Sequence, residues 1–105
     1  MLEKEIEKIL VTEVKRLGGR AYKWVSPGND GVPDRIVIFP DQMPIFVELK
    51  TDMGRLTALQ KVQCKHLIDL GQRVEIIHGI EGLIFFFEVE GFTGASRRLK
   101  REYGQ

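Results

Sequence analysis

The chain has 105 residues, 43% of them hydrophobic and 30% charged, with 16 basic and 15 acidic side chains that leave a net charge of +1. That length holds one domain of about 100–150 residues, and the composition excludes a disordered chain. The near-neutral balance excludes a whole-protein field for a polyanion, so a nucleic-acid partner would have to be met by a local patch or a dimer.

A single cysteine, Cys64, excludes an intrachain disulfide and a multi-cysteine zinc site, and fits a reducing compartment. The charged start, Met1-Leu2-Glu3-Lys4-Glu5, lacks the apolar stretch of a secretory signal. No run approaches the about 18 apolar residues of a membrane span. The expectation is a cytoplasmic protein.

In chain order, Leu2, Ile6, Ile9, Leu10, Val14 and Leu17 recur at steps of three and four with charges between them, which predicts an amphipathic helix closed by Gly18-Gly19. Residues 20–25, with Tyr22, Trp24 and Val25, predict a short strand in which Trp24 packs on the sheet. Two prolines and two glycines make residues 26–34 a loop. Residues 35–39 and 45–49 are β-branched and aromatic runs around a five-residue loop, which predicts a β-hairpin. A second helix opens at Thr57 and is expected to bury Leu59, Val62, Leu67 and Leu70 before Gly71 closes it. Residues 74–78 form a fourth strand, parallel to its neighbour because a crossover helix precedes it. Residues 80–89 suit a helix better than a buried strand. The apolar run 83–87 is more than so small a core needs, and part of it is expected at a dimer interface. Residues 1–90 then form the domain, and 91–105, with Arg97-Arg98-Leu99-Lys100-Arg101, a solvated basic tail. The fold class is α/β, in the order αβββαβ, with a mixed sheet flanked by helices.

The informative chemistry is Pro33-Asp34 followed, on the other arm of the hairpin, by Glu48-Leu49-Lys50. Alternation along a strand puts Phe46, Glu48 and Lys50 on one face and Ile45, Val47 and Leu49 on the other. If Phe39 faces Ile45, then Ile36 faces Glu48 and Asp34 faces Lys50, so Asp34, Glu48 and Lys50 converge at one end of the hairpin. Two carboxylates beside an ammonium suit a hard cation, Mg2+ or Mn2+, with the Leu49 carbonyl as a third protein ligand. Such an ion polarises a phosphoryl oxygen and helps to activate water, and Lys50 is placed to orient that water. A simple surface ion pair between Glu48 and Lys50 is the plainer alternative.

With Gly31-Val32-Pro33-Asp34, Glu48-Leu49-Lys50 and the following Gly54-Arg55-Leu56-Thr57 with Gln60, the first 80 or so residues resemble the virus-type replication-repair nuclease (VRR-NUC) domain of the PD-(D/E)xK superfamily. The resemblance implies a restriction-endonuclease-like core. It also implies catalytic roles for Asp34, Glu48, Lys50, a glutamate of the first helix and Gln60. Helix one offers Glu3, Glu5, Glu7 and Glu13, of which Glu3 has the motif-like spacing to Ile6. Gln60 also has a purely structural role open to it, because Thr57-x-x-Gln60 is a capping box. Lys23, Arg35 and Arg55 border the site as candidate phosphate contacts. His66 and His78 lack metal-ligand spacing and read as surface and strand-end residues.

The resemblance implies a metal-dependent DNA endonuclease of phage or bacterial type, acting inside the host cell on branched DNA such as four-way junctions. A chain this small, with no helix-turn-helix, has more room for shape recognition than for base readout. A two-fold junction calls for a homodimer. The alternatives are a flap or nicking nuclease and a non-catalytic DNA-binding module on the same fold.

Overall fold

A computed structural model describes residues 1–104; Gln105, the last residue of the expected tail, lies outside the described residues. The elements are α1 (Glu3–Arg16), β1 (Arg20–Lys23), β2 (Arg35–Ile38), β3 (Ile45–Lys50), α2 (Ala58–Asp69), β4 (Arg73–His78), α3 (Gly79–Val89) and α4 (Thr93–Tyr103). The strands lie in the order β1-β2-β3-β4. The first three are antiparallel, and β4 runs parallel to β3 after the α2 crossover. None of the described helices is long and apolar enough to cross a membrane.

The apolar stripe of α1 does what its spacing predicts: Ile6, Leu10 and Val14 are fully buried, although Leu2, the first member of the stripe, is exposed. Amide donation from Gly18 to the Lys15 carbonyl and from Gly19 to the Val14 carbonyl ends the helix in a Schellman motif. Ile45, Val47 and Leu49 of β3 meet this stripe, with Val37, Ile77 and the inner face of α3 completing the core.

The hairpin register differs from the expected one by two residues: Val37 faces Ile45, Ile36 faces Phe46 and Arg35 faces Val47. The ladder with β3 ends at Val37, and Phe39 lies beyond it, 1% exposed in the core against the rings of Phe92 (4.6 Å between centroids) and Phe86 (6.3 Å), so the connection is longer than five residues. An even shift keeps every side chain on its predicted face. It brings Asp34 level with Glu48 instead of Lys50.

Three further expectations are corrected. Helix α2 turns Gln60, Cys64 and Leu67 to the sheet, and of these only Cys64 is fully buried; Leu59, Val62 and Leu70 are exposed. Its main packing on the sheet is against β4, a surface too narrow to cover a full apolar stripe. The run 83–87 is core rather than surplus: Leu83, Ile84, Phe86 and Phe87 are buried and only Phe85 faces outward. The expected basic tail is helix α4, which buries Ala95, Ser96 and Leu99 against α3. Arg98 of that helix pairs with Glu13 of α1, a carboxylate only 3% exposed that also accepts from Arg16. Residues 80–89 are helical as expected, and Trp24 packs on Phe46 with ring centroids 5.3 Å apart.

Candidate metal centre

Asp34 stands one residue before β2 begins, directly after the buried Pro33. At that position β2 cannot supply a ladder partner for the Leu49 amide, and the Asp34 carboxylate takes its place. Leu49 N–H donates to Asp34 Oδ2 at 2.8 Å, while the Asp34 carbonyl accepts from Trp24 N–H at 3.1 Å. The aspartate is thus clamped between β1 and β3. A residue in an extended strand sends its N–H and C=O to the same edge. The Leu49 carbonyl therefore faces this side too, beyond the start of β2.

Glu48 lies within β3 and is only 1% exposed. Its Oε2 accepts from Gln60 Nε2 at 3.1 Å and lies 3.5 Å from Lys50 Nζ, itself largely buried. Its Oε1 is buried with no hydrogen-bond partner among the described residues. An orphaned buried acceptor costs about 1–3 kcal/mol, more for a charged one, and it is the atom a cation would satisfy. Burial first, and then the Asp34 charge, push the Glu48 carboxyl up to about 7; Lys50 pulls the other way and Glu3 adds a smaller upward push.

The exposed Glu3, in the first turn of α1, reaches the same place. One carboxylate oxygen each from Glu3, Asp34 and Glu48 lies within 4.8 Å of the others. Three convergent oxygens, one of them otherwise unsatisfied, fit a hard divalent cation.

The other helix-one glutamates are committed elsewhere: Glu5 accepts from the Leu2 amide at 3.1 Å, Glu7 from Arg35 Nε at 2.8 Å, and Glu13 from Arg16 and Arg98. Gln60 takes both roles open to it. Its Oε1 accepts from the Thr57 amide at 2.9 Å in the capping box while its Nε2 holds Glu48.

Of the three basic residues expected to meet phosphate, Lys23 and Arg55 are exposed. Arg35 is not free for that purpose. It points to the α1 side of the sheet, where Glu7 and the Ala21 carbonyl (3.0 Å) hold it. His66 is exposed on α2, and His78 ends β4 with Nδ1 3.3 Å from the Thr51 carbonyl.

Gly31 enters the sequence argument only as part of the Gly31-Val32-Pro33-Asp34 motif and Cys64 only as a lone cysteine, and the structure gives each a place near the site. Cys64 sits one helical turn after Gln60, and burial, helped by the Glu48 charge, pushes its thiol up; the i, i+4 spacing from Gln60 was the available signal. Gly31 packs on the first turn of α2, a contact that nothing local in the sequence announces.

No protein-family model matches the chain. "Putative nuclease p44" of Acyrthosiphon pisum secondary endosymbiont phage 1 is 47% identical over 75 residues, covering 71% of this chain and 81% of that protein. A solved structure described as a VRR_NUC domain superposes with a TM-score of 0.70 at 22% identity, over 96% of this chain and 97% of that one, a likeness of fold. The phage relative covers more than two thirds of this chain, and the shared fold spans nearly all of it, so the protein belongs to the VRR-NUC family.

Proposed function

We propose that this protein is a Mg2+- or Mn2+-dependent endonuclease that hydrolyses phosphodiester bonds in branched DNA, four-way (Holliday) junctions foremost. We further infer that it acts as a homodimer, inside the bacterial cell that a phage infects. The observation that carries the reading is the convergence of Glu3, Asp34 and Glu48 around an unpartnered buried oxygen, with Lys50 alongside. Asp34, Glu48 and the Leu49 carbonyl would hold the ion, with Glu3 completing the set. A divalent ion bound there supplies Lewis acidity at a phosphoryl oxygen and eases deprotonation of a nearby water.

The chain's own residues do the positioning. The hydrogen bond from the Leu49 amide fixes the rotamer of Asp34, and Gln60 fixes Glu48. Lys50, held near Glu48 by its buried stem, keeps its ammonium group where it orients the attacking water and offsets charge developing on the phosphate. Lys23 and Arg55, on the segments leading into and out of the site, are the proposed phosphate contacts.

The domain measures only 39 × 33 × 20 Å, which favours reading shape over reading sequence. Two-fold DNA needs two sites, and exposed apolar side chains available for a two-fold interface include Leu59, Val62 and Ile68 of α2, Leu70 at its C-cap, and Ile76, Phe85 and Val89 beside the β4 edge. The test compares cleavage of a four-way junction, a flap, a nicked duplex and a plain duplex, with Mg2+, Mn2+ or chelator, alongside a solution mass. Preferential, chelator-sensitive junction cleavage by a dimer is expected. Equal cutting of all four substrates would refute junction selectivity, and a monomer at micromolar concentration would refute the dimer.

A further inference from the structure

We propose that Gly31 is a positioning residue that sets the distance between helix α2 and the acidic cluster, and so holds Gln60 against Glu48. A Cβ at position 31 would lie 2.6 Å from the Leu59 carbonyl carbon, 2.7 Å from the Leu59 oxygen and 2.8 Å from the Gln60 nitrogen. All three are backbone atoms of the first turn of α2, so no rotamer change relieves the overlap. Glycine is the residue that lets two backbones approach this closely. Its φ of +91° is a second demand for glycine at the same position.

The two sides of this contact are not equally firm. Asp34, three residues on, is held by the Leu49 amide and the Trp24 amide, with Pro33 buried between. Helix α2 has one fully buried side chain, Cys64, with Gln60, Gln63 and Leu67 half-buried, and leaves Leu59, Val62 and Leu70 exposed. An added methyl therefore displaces α2. The capping box travels with the helix, since Thr57 and Gln60 move together, whereas the 3.1 Å bond from Gln60 Nε2 to Glu48 spans the gap that opens.

Gly28 is the internal control, because it lies in the same loop with φ +81° and no atom of the described residues within 4 Å of where a Cβ would sit. Gly28→Ala meets the backbone strain without the contact. The catalytic arm of the test rests on the nuclease reading above; the labelling arm does not.

The experiment measures thiol labelling of the sole cysteine, Cys64, in metal-free and DNA-free protein, together with single-turnover cleavage and urea unfolding, for wild type, Gly28→Ala, Gly31→Ala, Gln60→Ala and the Gly31→Ala/Gln60→Ala double variant. Gly31→Ala is expected to label Cys64 about tenfold faster than Gly28→Ala, because the lifted helix uncovers it. It is expected to lose turnover about tenfold or more with KM within about twofold of wild type. The double variant should be no slower than the slower single variant, the mark of two residues acting through one contact. Labelling of Gly31→Ala equal to that of Gly28→Ala, additive losses in the double variant, or failure of Gly31→Ala to fold would each overturn the proposal. Absence of cleavage by the wild type would sink the nuclease reading and leave the labelling comparison to decide the role of Gly31.

Discussion

Gln60 donates to Glu48 across 3.1 Å with one end of its amide while the other end accepts from the Thr57 backbone at 2.9 Å, so one side chain both caps a helix and braces a buried carboxylate. Removal of the amide should therefore separate from loss of the cap alone. Thr57→Ala is expected to cost about 1 kcal/mol of stability and to leave turnover within about threefold of wild type, since the Glu48 contact persists. Gln60→Ala should cost a similar amount and lower turnover about tenfold or more. Urea unfolding and single-turnover rates measure the two effects, and equal turnover in the two variants would refute the bracing role.

Asp34 serves as a proposed ion ligand and as the acceptor for the Leu49 amide. Asp34→Asn keeps an acceptor there and removes the charge, so stability should stay within about 0.5 kcal/mol of wild type. Asp34→Ala leaves a buried N–H unpaired and should cost about 1–3 kcal/mol. Both should abolish cleavage and weaken Mn2+ binding by calorimetry, with DNA affinity retained. Wild-type Mn2+ binding in Asp34→Ala would favour a non-catalytic module.

Glu48 gives the metal-free protein a pH dependence of definite sign. Its carboxyl titrates near 4.5 when unfolded and is pushed up to about 7 in the fold, by burial first and by Asp34 next. Between those values the folded protein binds a proton that the unfolded chain has released. The contribution is therefore complete below about pH 4.5 and is lost as pH rises through about 7. Urea unfolding without metal should show a decline of about 1–3 kcal/mol over that window, and Glu48→Gln should remove it. Saturating Mg2+ should oppose the decline, because the ion stabilises the carboxylate.

Lys50 lies 3.5 Å from Glu48 and is placed by the proposal to act on the water and the phosphate. Lys50→Ala is expected to lower turnover about a hundredfold while changing Mn2+ affinity less than about threefold. Turnover equal to wild type would end its proposed role.

Glu13 is 3% exposed, and its pairing with Arg98 fastens α4 to α1 far from the acidic cluster. Arg98→Ala leaves that carboxylate with only Arg16 and should cost about 1–3 kcal/mol, a value below that of a fully buried pair because Arg98 is partly solvated. Cleavage per folded molecule should be unchanged. Deletion of residues 91–105 should do more, exposing the core face of α3 that Ala95 and Leu99 cover, and a stably folded truncation would contradict this account of α4.

Local pattern was enough for every signal that depends on a residue's near neighbours. The spacing of four between Ile6, Leu10 and Val14 gave a buried helix face, and the period of two in 45–50 put Glu48 and Lys50 together on the face away from Val47 and Leu49. Thr57 and Gln60 gave a capping box. These hold because a helix or strand fixes the direction of its own side chains wherever it is docked. For the same reason the misjudged hairpin register still brought Asp34 to Glu48, since an even slip preserves faces.

What the tertiary structure alone decided is which groups meet across long separations. Arg35 finds Glu7 at 28 residues' distance and Arg98 finds Glu13 at 85, which withdraws one arginine from the expected phosphate contacts and turns an expected tail into a helix of the core. Those pairings leave Glu3 as the helix-one glutamate at the acidic cluster. Glu3 and Glu7 lie about one turn apart on α1, so helix geometry alone does not separate them, and the sequence pointed to Glu3 only through its motif-like spacing to Ile6. Only the docking of α1 on the sheet, set by apolar burial along its whole length, chooses the carboxylate that reaches Asp34 and Glu48.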